Sequence, residues 1–104
     1  MDAETFRAAH PAVGRYCIIR TQSAGVHAGI VTVVSVDGRQ VTLVSARRIW
    51  QWFGAFTLSE VSQTGIDQEK SRVTAAVPEI YLIEVIEIIP ASDAAREIIE
   101  ACHE

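Results

Sequence analysis

Between the runs at residues 30–36 and 39–45, rich in Val, Ile and Thr, stands Asp37-Gly38, and no other feature narrows the possible folds of this 104-residue chain as sharply. The dipeptide fits a two-residue turn with positive backbone φ angles, and its flanks suit a pleated surface. A β-hairpin is predicted. Its second arm runs without a breaker into Arg47-Arg48-Ile49-Trp50-Gln51-Trp52. If the strand continues, Arg48, Trp50 and Trp52 share one face, and Arg47, Ile49, Gln51 and Phe53 the other.

The rest of the chain reads around that hairpin. Residues 2–9 form a short helix ended by Pro11 and Gly14, residues 15–20 a strand, and residues 21–29 a loop whose glycines allow close backbone approach to something else. Thr57-Leu58-Ser59-Glu60 matches a capping box, which predicts a helix from Leu58 to about Thr64, stopped by Gly65. Residues 67–71 read as an exposed loop, and residues 72–77 and 79–89 as strands separated by Pro78. The second of these is apolar on both faces, with Ile80, Leu82, Glu84, Ile86 and Ile88 opposing Tyr81, Ile83, Val85, Glu87 and Ile89, so a central or sandwiched position is expected. Ser92 starts a last helix over residues 93–102, packing through Ala95, Ile98, Ile99 and Cys102. The predicted fold class is α+β: one domain over residues 1–104, a small antiparallel sheet or open barrel with short peripheral helices.

Composition constrains the partners. An apolar fraction of 49% with mean hydropathy +0.21 is high for so short a chain, and self-association into a homo-oligomer is the expected remedy, against the alternative of one well-filled monomer core. No run of about 18 apolar residues exists, so no membrane partner is expected. The acidic start, Met1-Asp2-Ala3-Glu4, does not read as a secretory signal, and a cytoplasmic address follows. Cys17 and Cys102 lack a second pair, so neither a metal site nor a disulfide framework is predicted, and both read as buried thiols. Residues 1–48 carry a net +3 and residues 49–104 a net −7, opposed signs that could complement one another between subunits. An acidic chain is a poor non-specific nucleic-acid binder, but eight of its nine basic residues are Arg, which favours directed bidentate contacts.

Chemistry concentrates in residues 46–58, where Arg47, Arg48, Trp50, Trp52, Phe53 and Phe56 fall together. Flat indole faces beside guanidinium charges suit a planar anionic group, through stacking and charge pairing on one ligand. The same residues would serve equally as core plugs or as a hot spot for a protein partner. His10, His27 and His103 have no ligand-like spacing, and a phosphate-cradling glycine loop is missing, so no enzyme and no cofactor are predicted. A base for His27 assembled from a distant carboxylate such as Glu60 has no local support.

The string Ser23-Ala24-Gly25-Val26-His27-Ala28-Gly29, followed by Ala46-Arg47-Arg48-Ile49-Trp50-Gln51-Trp52 and Gly54-Ala55-Phe56-Thr57-Leu58, resembles a small family encoded in tailed-bacteriophage genomes. The likeness runs from about residue 13 to residue 89 and includes Val77-Pro78-Glu79-Ile80. It implies expression in the host bacterial cytoplasm and carries no catalytic assignment. Small phage proteins of this kind act as virion parts or as inhibitors of host defence, some of them by sequestering nucleotide signals. The leading expectation is a non-enzymatic oligomer that binds a small nucleotide, with Trp50 or Trp52 stacking on the base, Arg47 and Arg48 on phosphate, and His27 and the amides near Gly25 completing the contact. The alternative is an interaction module, a phage structural accessory or an inhibitor covering a host protein.

Overall fold

A computed structural model of the chain describes residues 10–103, and the helix expected over residues 2–9 lies outside them. The elements follow in the order β1 (Tyr16–Thr21), β2 (Val26–Val34), β3 (Val41–Gln51), α1 (Leu58–Thr64), β4 (Arg72–Val73), β5 (Val77–Leu82), β6 (Val85–Pro90) and α2 (Asp93–Glu100). All strand pairs are antiparallel, in spatial order β4-β3-β2-β1-β6, with β5 beside the first half of β3 on the edge that β4 shares. Among the described residues the result is one six-stranded sheet, not closed into a barrel, with two short helices.

Alternation along β1 shows how the sheet is buried. Cys17 and Ile19 enter one core with Val31, Leu43, Ala46, Leu82 and Val85, while Tyr16 and Ile18 enter a second with Ala28, Ile49, Val61, Val73 and Ile99. The second core lies under the helices. Thr57 caps α1 by accepting from the Glu60 amide at 3.1 Å, and the Glu60 carboxylate takes the Phe56 amide in return at 2.8 Å. Ser92 caps α2 through the Ala95 amide and also donates its hydroxyl to the Gln63 carbonyl, so one residue starts the second helix and fastens it to the end of the first. Gly65, at φ +79°, lets the helices meet there, because a Cβ would stand 2.9 Å from Ile98 Cγ2.

Three strand expectations change. The hairpin turns at Asp37-Gly38, but over four residues: Ser35 and Gln40 pair, Gly38 donates to the Ser35 carbonyl, and only Gly38 takes a positive φ. The Asp37 carboxylate holds the Ser35 hydroxyl and the Arg39 amide, which stabilises the wider loop and depresses its pKa, the Ser35 bond first. Second, β2 begins at Val26 rather than after Gly29, so His27 and Gly29 are strand residues. Gly29 is required by its neighbour strand: β3 carries an extra residue at Ser45 (φ +51°) between Val44, opposite Ile30, and Arg47, opposite Ala28. A Cβ on Gly29 would stand 2.9 Å from the Val44 carbonyl oxygen and 3.2 Å from Ala46 Cα.

Third, residues 79–89 are not one central strand. Glu84, at φ +56°, breaks the run, so that β5 completes the β3 edge and β6 the β1 edge. The amide of Gln22 donates to the Glu84 carbonyl and the amide of Val85 to the Arg39 carbonyl, which brings the break against both adjoining turns. The phase flips at the break: Leu82 and Val85 point inward, and Tyr81, Ile83 and Ile86 are exposed. Apolar content on both faces here records a strand serving two edges. Substituting Gly29→Ala should cost about 2–3 kcal/mol, because the clashing atoms are backbone, and urea denaturation would measure it. A change below about 0.5 kcal/mol would show that the β2–β3 bulge relaxes freely.

Candidate functional site

The two neighbouring arginines of β3 point to opposite faces and meet opposite fates. Arg47, on the helix side, is buried. Its Nε donates to the Thr74 carbonyl at 2.6 Å, Nη1 to those of Ile99 (2.9 Å) and Glu100 (3.0 Å), and Nη2 to that of Cys102 (2.6 Å). The last turn of α2 has no basic residue of its own, and this guanidinium completes its cap, joining the Cys102 amide at the Ile99 carbonyl and bonding those of Glu100 and Cys102. Arg47 is thus committed to backbone carbonyls, and among the described residues no carboxylate pairs with it. It is a structural clamp between β3, the chain at Thr74 and the end of α2.

Arg48 lies directly opposite His27 in the β2–β3 register, and its Nε donates to His27 Nε2 at 3.2 Å. Its backbone is fixed on the other side by Thr74, whose hydroxyl accepts from the Arg48 amide and whose amide donates to the Arg48 carbonyl. Both side chains line a cavity of about 350 Å³ with Thr74, Ala76, Val77 and Ile80. Residues 74–76 are thus not the strand expected there; β4 stops at Val73 and the next three residues strap the β3 edge and form a wall of the cavity. Their small side chains signal a close-packed strap, but only the coordinates show that it passes beside Arg48.

His27 is 1% exposed, and its Nδ1 has no hydrogen-bond partner among the described residues. Burial first, and then the adjacent Arg48 charge, push its pKa down from 6.5 to about 4, so the ring is neutral at pH 7. Since Nε2 accepts from Arg48, the proton sits on Nδ1. Among the described residues no carboxylate pairs with Arg48; the one ion pair there joins Arg96 to Glu100 on α2. Glu60 is committed to the cap of α1.

The tryptophans divide. Gln51 pairs with Arg72 and Ile49 with Val73, which makes Trp50 the extra residue of a second bulge. It is 60% exposed, on the strand face of Arg48, beyond the cavity lining. The bulge returns Trp52 to the helix-side core, where it is half buried, so Trp52 does not share the face of Arg48. Gly25 also departs from expectation. It forms the β1–β2 turn at φ +84° with open space at its Cβ position, and its carbonyl is taken by the Thr21 amide and hydroxyl. The close approach foreseen for this glycine-rich stretch occurs at Gly29, toward β3. Of the six residues singled out, His27 and Arg48 converge on one cavity and Trp50 stands near it; Arg47 clamps the end of α2 and lines a separate cavity of about 320 Å³ with Ser45, Ala76, Glu100 and Cys102, Trp52 packs on the helix-side core and Gly25 forms a turn.

Cys17 and Cys102 are both buried free thiols, their pKa values raised by that burial. Among the described residues no cluster of three His, Cys, Asp or Glu could hold a metal ion, and no helix is long and apolar enough to cross a membrane.

The profile of a domain family described as "Domain of unknown function (DUF6948)" matches residues 14–99. No curated protein and no solved structure matches the chain.

Two outcomes test these assignments. Arg47→Met should cost about 3–5 kcal/mol by stranding buried carbonyls, and Arg48→Met less than about 1 kcal/mol, in the same urea experiment; equal costs would reject the division of labour. His27 titrates near 6.5 when unfolded and near 4 when folded, so the unfolded chain binds the extra proton between those values. Stability should therefore fall as pH drops from about 6.5 toward 4, by about 1–2 kcal/mol, solvent at the cavity mouth reducing the full linkage value of roughly 3. The slope should flatten in His27→Gln, and parallel profiles for the two proteins would rule out the neutral, desolvated ring.

Proposed function

We propose that this chain, which belongs to the DUF6948 domain family, is a non-catalytic binding protein whose cavity takes a small anionic ligand with a flat aromatic body, such as a nucleotide. What carries the reading is Arg48: a guanidinium on an otherwise mostly apolar cavity, held by a neutral imidazole and with no carboxylate partner among the described residues. A few polar groups converging on an apolar concavity are the ordinary makings of a small-ligand site. Trp50 offers an exposed indole on the same strand face for stacking. Binding rather than catalysis is favoured because an imidazole with a pKa of about 4 is a feeble proton acceptor at neutral pH, and its Nδ1 lacks an orienting partner.

Magnitudes bear on the assembly. One charge-assisted contact at roughly 1.5–3 kcal/mol and one stack at roughly 1–3 kcal/mol give a single copy an affinity between about ten millimolar and tens of micromolar. Sequestration at micromolar concentrations needs a second set of contacts, and a symmetric homo-oligomer with the ligand between copies provides it. A cyclic nucleotide signal of bacterial defence is the member of this ligand class that the phage resemblance brings in.

A protein-docking role is the second reading, and one observation favours it. Phe56 precedes the cap of α1, where an apolar residue commonly packs back on the helix, yet it stands 96% exposed beside exposed Trp50 and Phe53 in sequence.

The test is to incubate the protein with AMP, cyclic AMP and cyclic dinucleotides, and to follow tryptophan fluorescence and thermal stability. Retained compound is then recovered after denaturation. Intact recovery, with affinity lowered about tenfold or more by Arg48→Met and by Trp50→Ala, is the expected result. No retention and no thermal shift with any compound would remove the reading, and altered products would replace it with catalysis.

A further inference from the structure

We infer that His27 is the positioning residue of the anion site: its Nε2 lone pair holds the Arg48 Nε–H, so that the guanidinium meets a ligand through Nη1 and Nη2 and grips a two-oxygen anion end-on. The inference rests on the ligand-binding reading of the cavity and adds what fixes the arginine and which edge of it works.

Three observations carry it. The Nε to Nε2 bond of 3.2 Å spans directly opposed residues of β2 and β3, so the geometry is set by the sheet rather than by loop packing. The guanidinium is planar, and a bidentate anion can approach it along the Nε/Nη edge or along the Nη1/Nη2 edge; with Nε occupied, only the second is left. An arginine side chain otherwise carries much rotamer freedom, and a partner that holds it before the ligand arrives removes part of the ordering cost of binding.

The third observation is the cost the fold accepts. His27 Nδ1 is buried without a partner, although a Met or Leu would occupy the same space with no stranded donor. Among the described residues the ring makes no hydrogen bond other than the one to Arg48. Retaining a histidine in that position is explained by what Nε2 does, and what it does is orient Arg48. The ligand class follows: a carboxylate or phosphate, both of which present two oxygens to one fork, with an apolar or aromatic body against Ala46, Ala76, Val77 and Ile80.

The experiment compares wild type, His27→Met, His27→Gln and Arg48→Met for binding of AMP and of inorganic phosphate by calorimetry, with melting temperatures in parallel. Nitrogen-15 NMR of the wild-type histidines reports the tautomer. Expected are an Nδ1–H tautomer for His27, about tenfold weaker AMP binding in His27→Met at equal or higher melting temperature, and affinity within about threefold of wild type in His27→Gln. Glutamine restores an acceptor near the Nε2 position, and a purely space-filling role for the ring predicts no such rescue. An Nε2–H tautomer, full binding by His27→Met, or a folded His27→Gln as weak as His27→Met would each overturn the inference. If Arg48→Met abolishes binding while His27→Met does not, the positioning role falls alone; if wild type binds neither probe, it falls together with the ligand reading. Should His27→Met fail to fold, the tautomer and the glutamine variant decide.

Discussion

A guanidinium can be buried without large loss only if its donors find acceptors at once, and for Arg47 those acceptors come from elements far apart in the chain. Thr74 brings the strap beside β3, and Ile99, Glu100 and Cys102 bring the end of α2, where this side chain bonds the Glu100 and Cys102 carbonyls and shares that of Ile99 with the Cys102 amide. The charge needs the carbonyls, the helix end needs a donor, and the strap needs an anchor after β4 ends. One side chain therefore couples the helix layer to the sheet edge and, through Thr74, to the wall of the His27–Arg48 cavity. That wall holds its distance from Arg48 because Thr74 is bonded to the backbone of Arg48 as well as to the side chain of Arg47.

Adjacent arginines in a strand must point to opposite faces, and the sequence shows that much without coordinates. Which one is buried depends on where the β3 bulge falls. Ser45 inserts one residue between Leu43, which is inward with the first core, and Ala46, which is inward again, so Arg48 continues that side and Arg47 the other. The same device at Trp50 sends Trp52 to the helix-side core. A bulge is a property of two strands, fixed by what the partner offers, and a single strand's alternation carries no trace of it. Local signals fared differently. The Asp37-Gly38 turn, the Thr57 and Ser92 caps and the stop at Gly65 were legible because each is decided within a few residues. Even there, the two-residue form of the turn gave way to a wider one, since the Asp37 carboxylate finds better partners in Ser35 and Arg39.

The apolar run at residues 79–89 misleads for a related reason. A strand buried on both faces and a strand that changes edges halfway look alike in composition, because the second also presents apolar side chains in both phases. The distinguishing event is Glu84 at φ +56°, a conformation that a glutamate adopts at some cost and that no residue preference announces. Its carboxylate accepts from Ser23 and its carbonyl from Gln22, bonds that hold the break against the β1–β2 turn.

Two groups of the exposed apolar side chains left by this arrangement lie at opposite ends of β3, about 30 Å apart along a strand of eleven residues. Val36, Ile83 and Ile86 gather by the hairpin loop, and Trp50 and Phe53 follow the far end of the strand. The His27–Arg48 cavity is nearer the second group, so the proposed ligand and any partner of Phe56 would compete for neighbouring surface. A second copy of the chain docking at the hairpin loop would have the first group to itself. Association there would cover Ile83 and Ile86 without touching Arg48, whereas association through Trp50 would enclose the cavity and add the second set of contacts that tight retention requires. Of the two modes, the proposed sequestering function demands the one in which indole and guanidinium from one copy face those of the other.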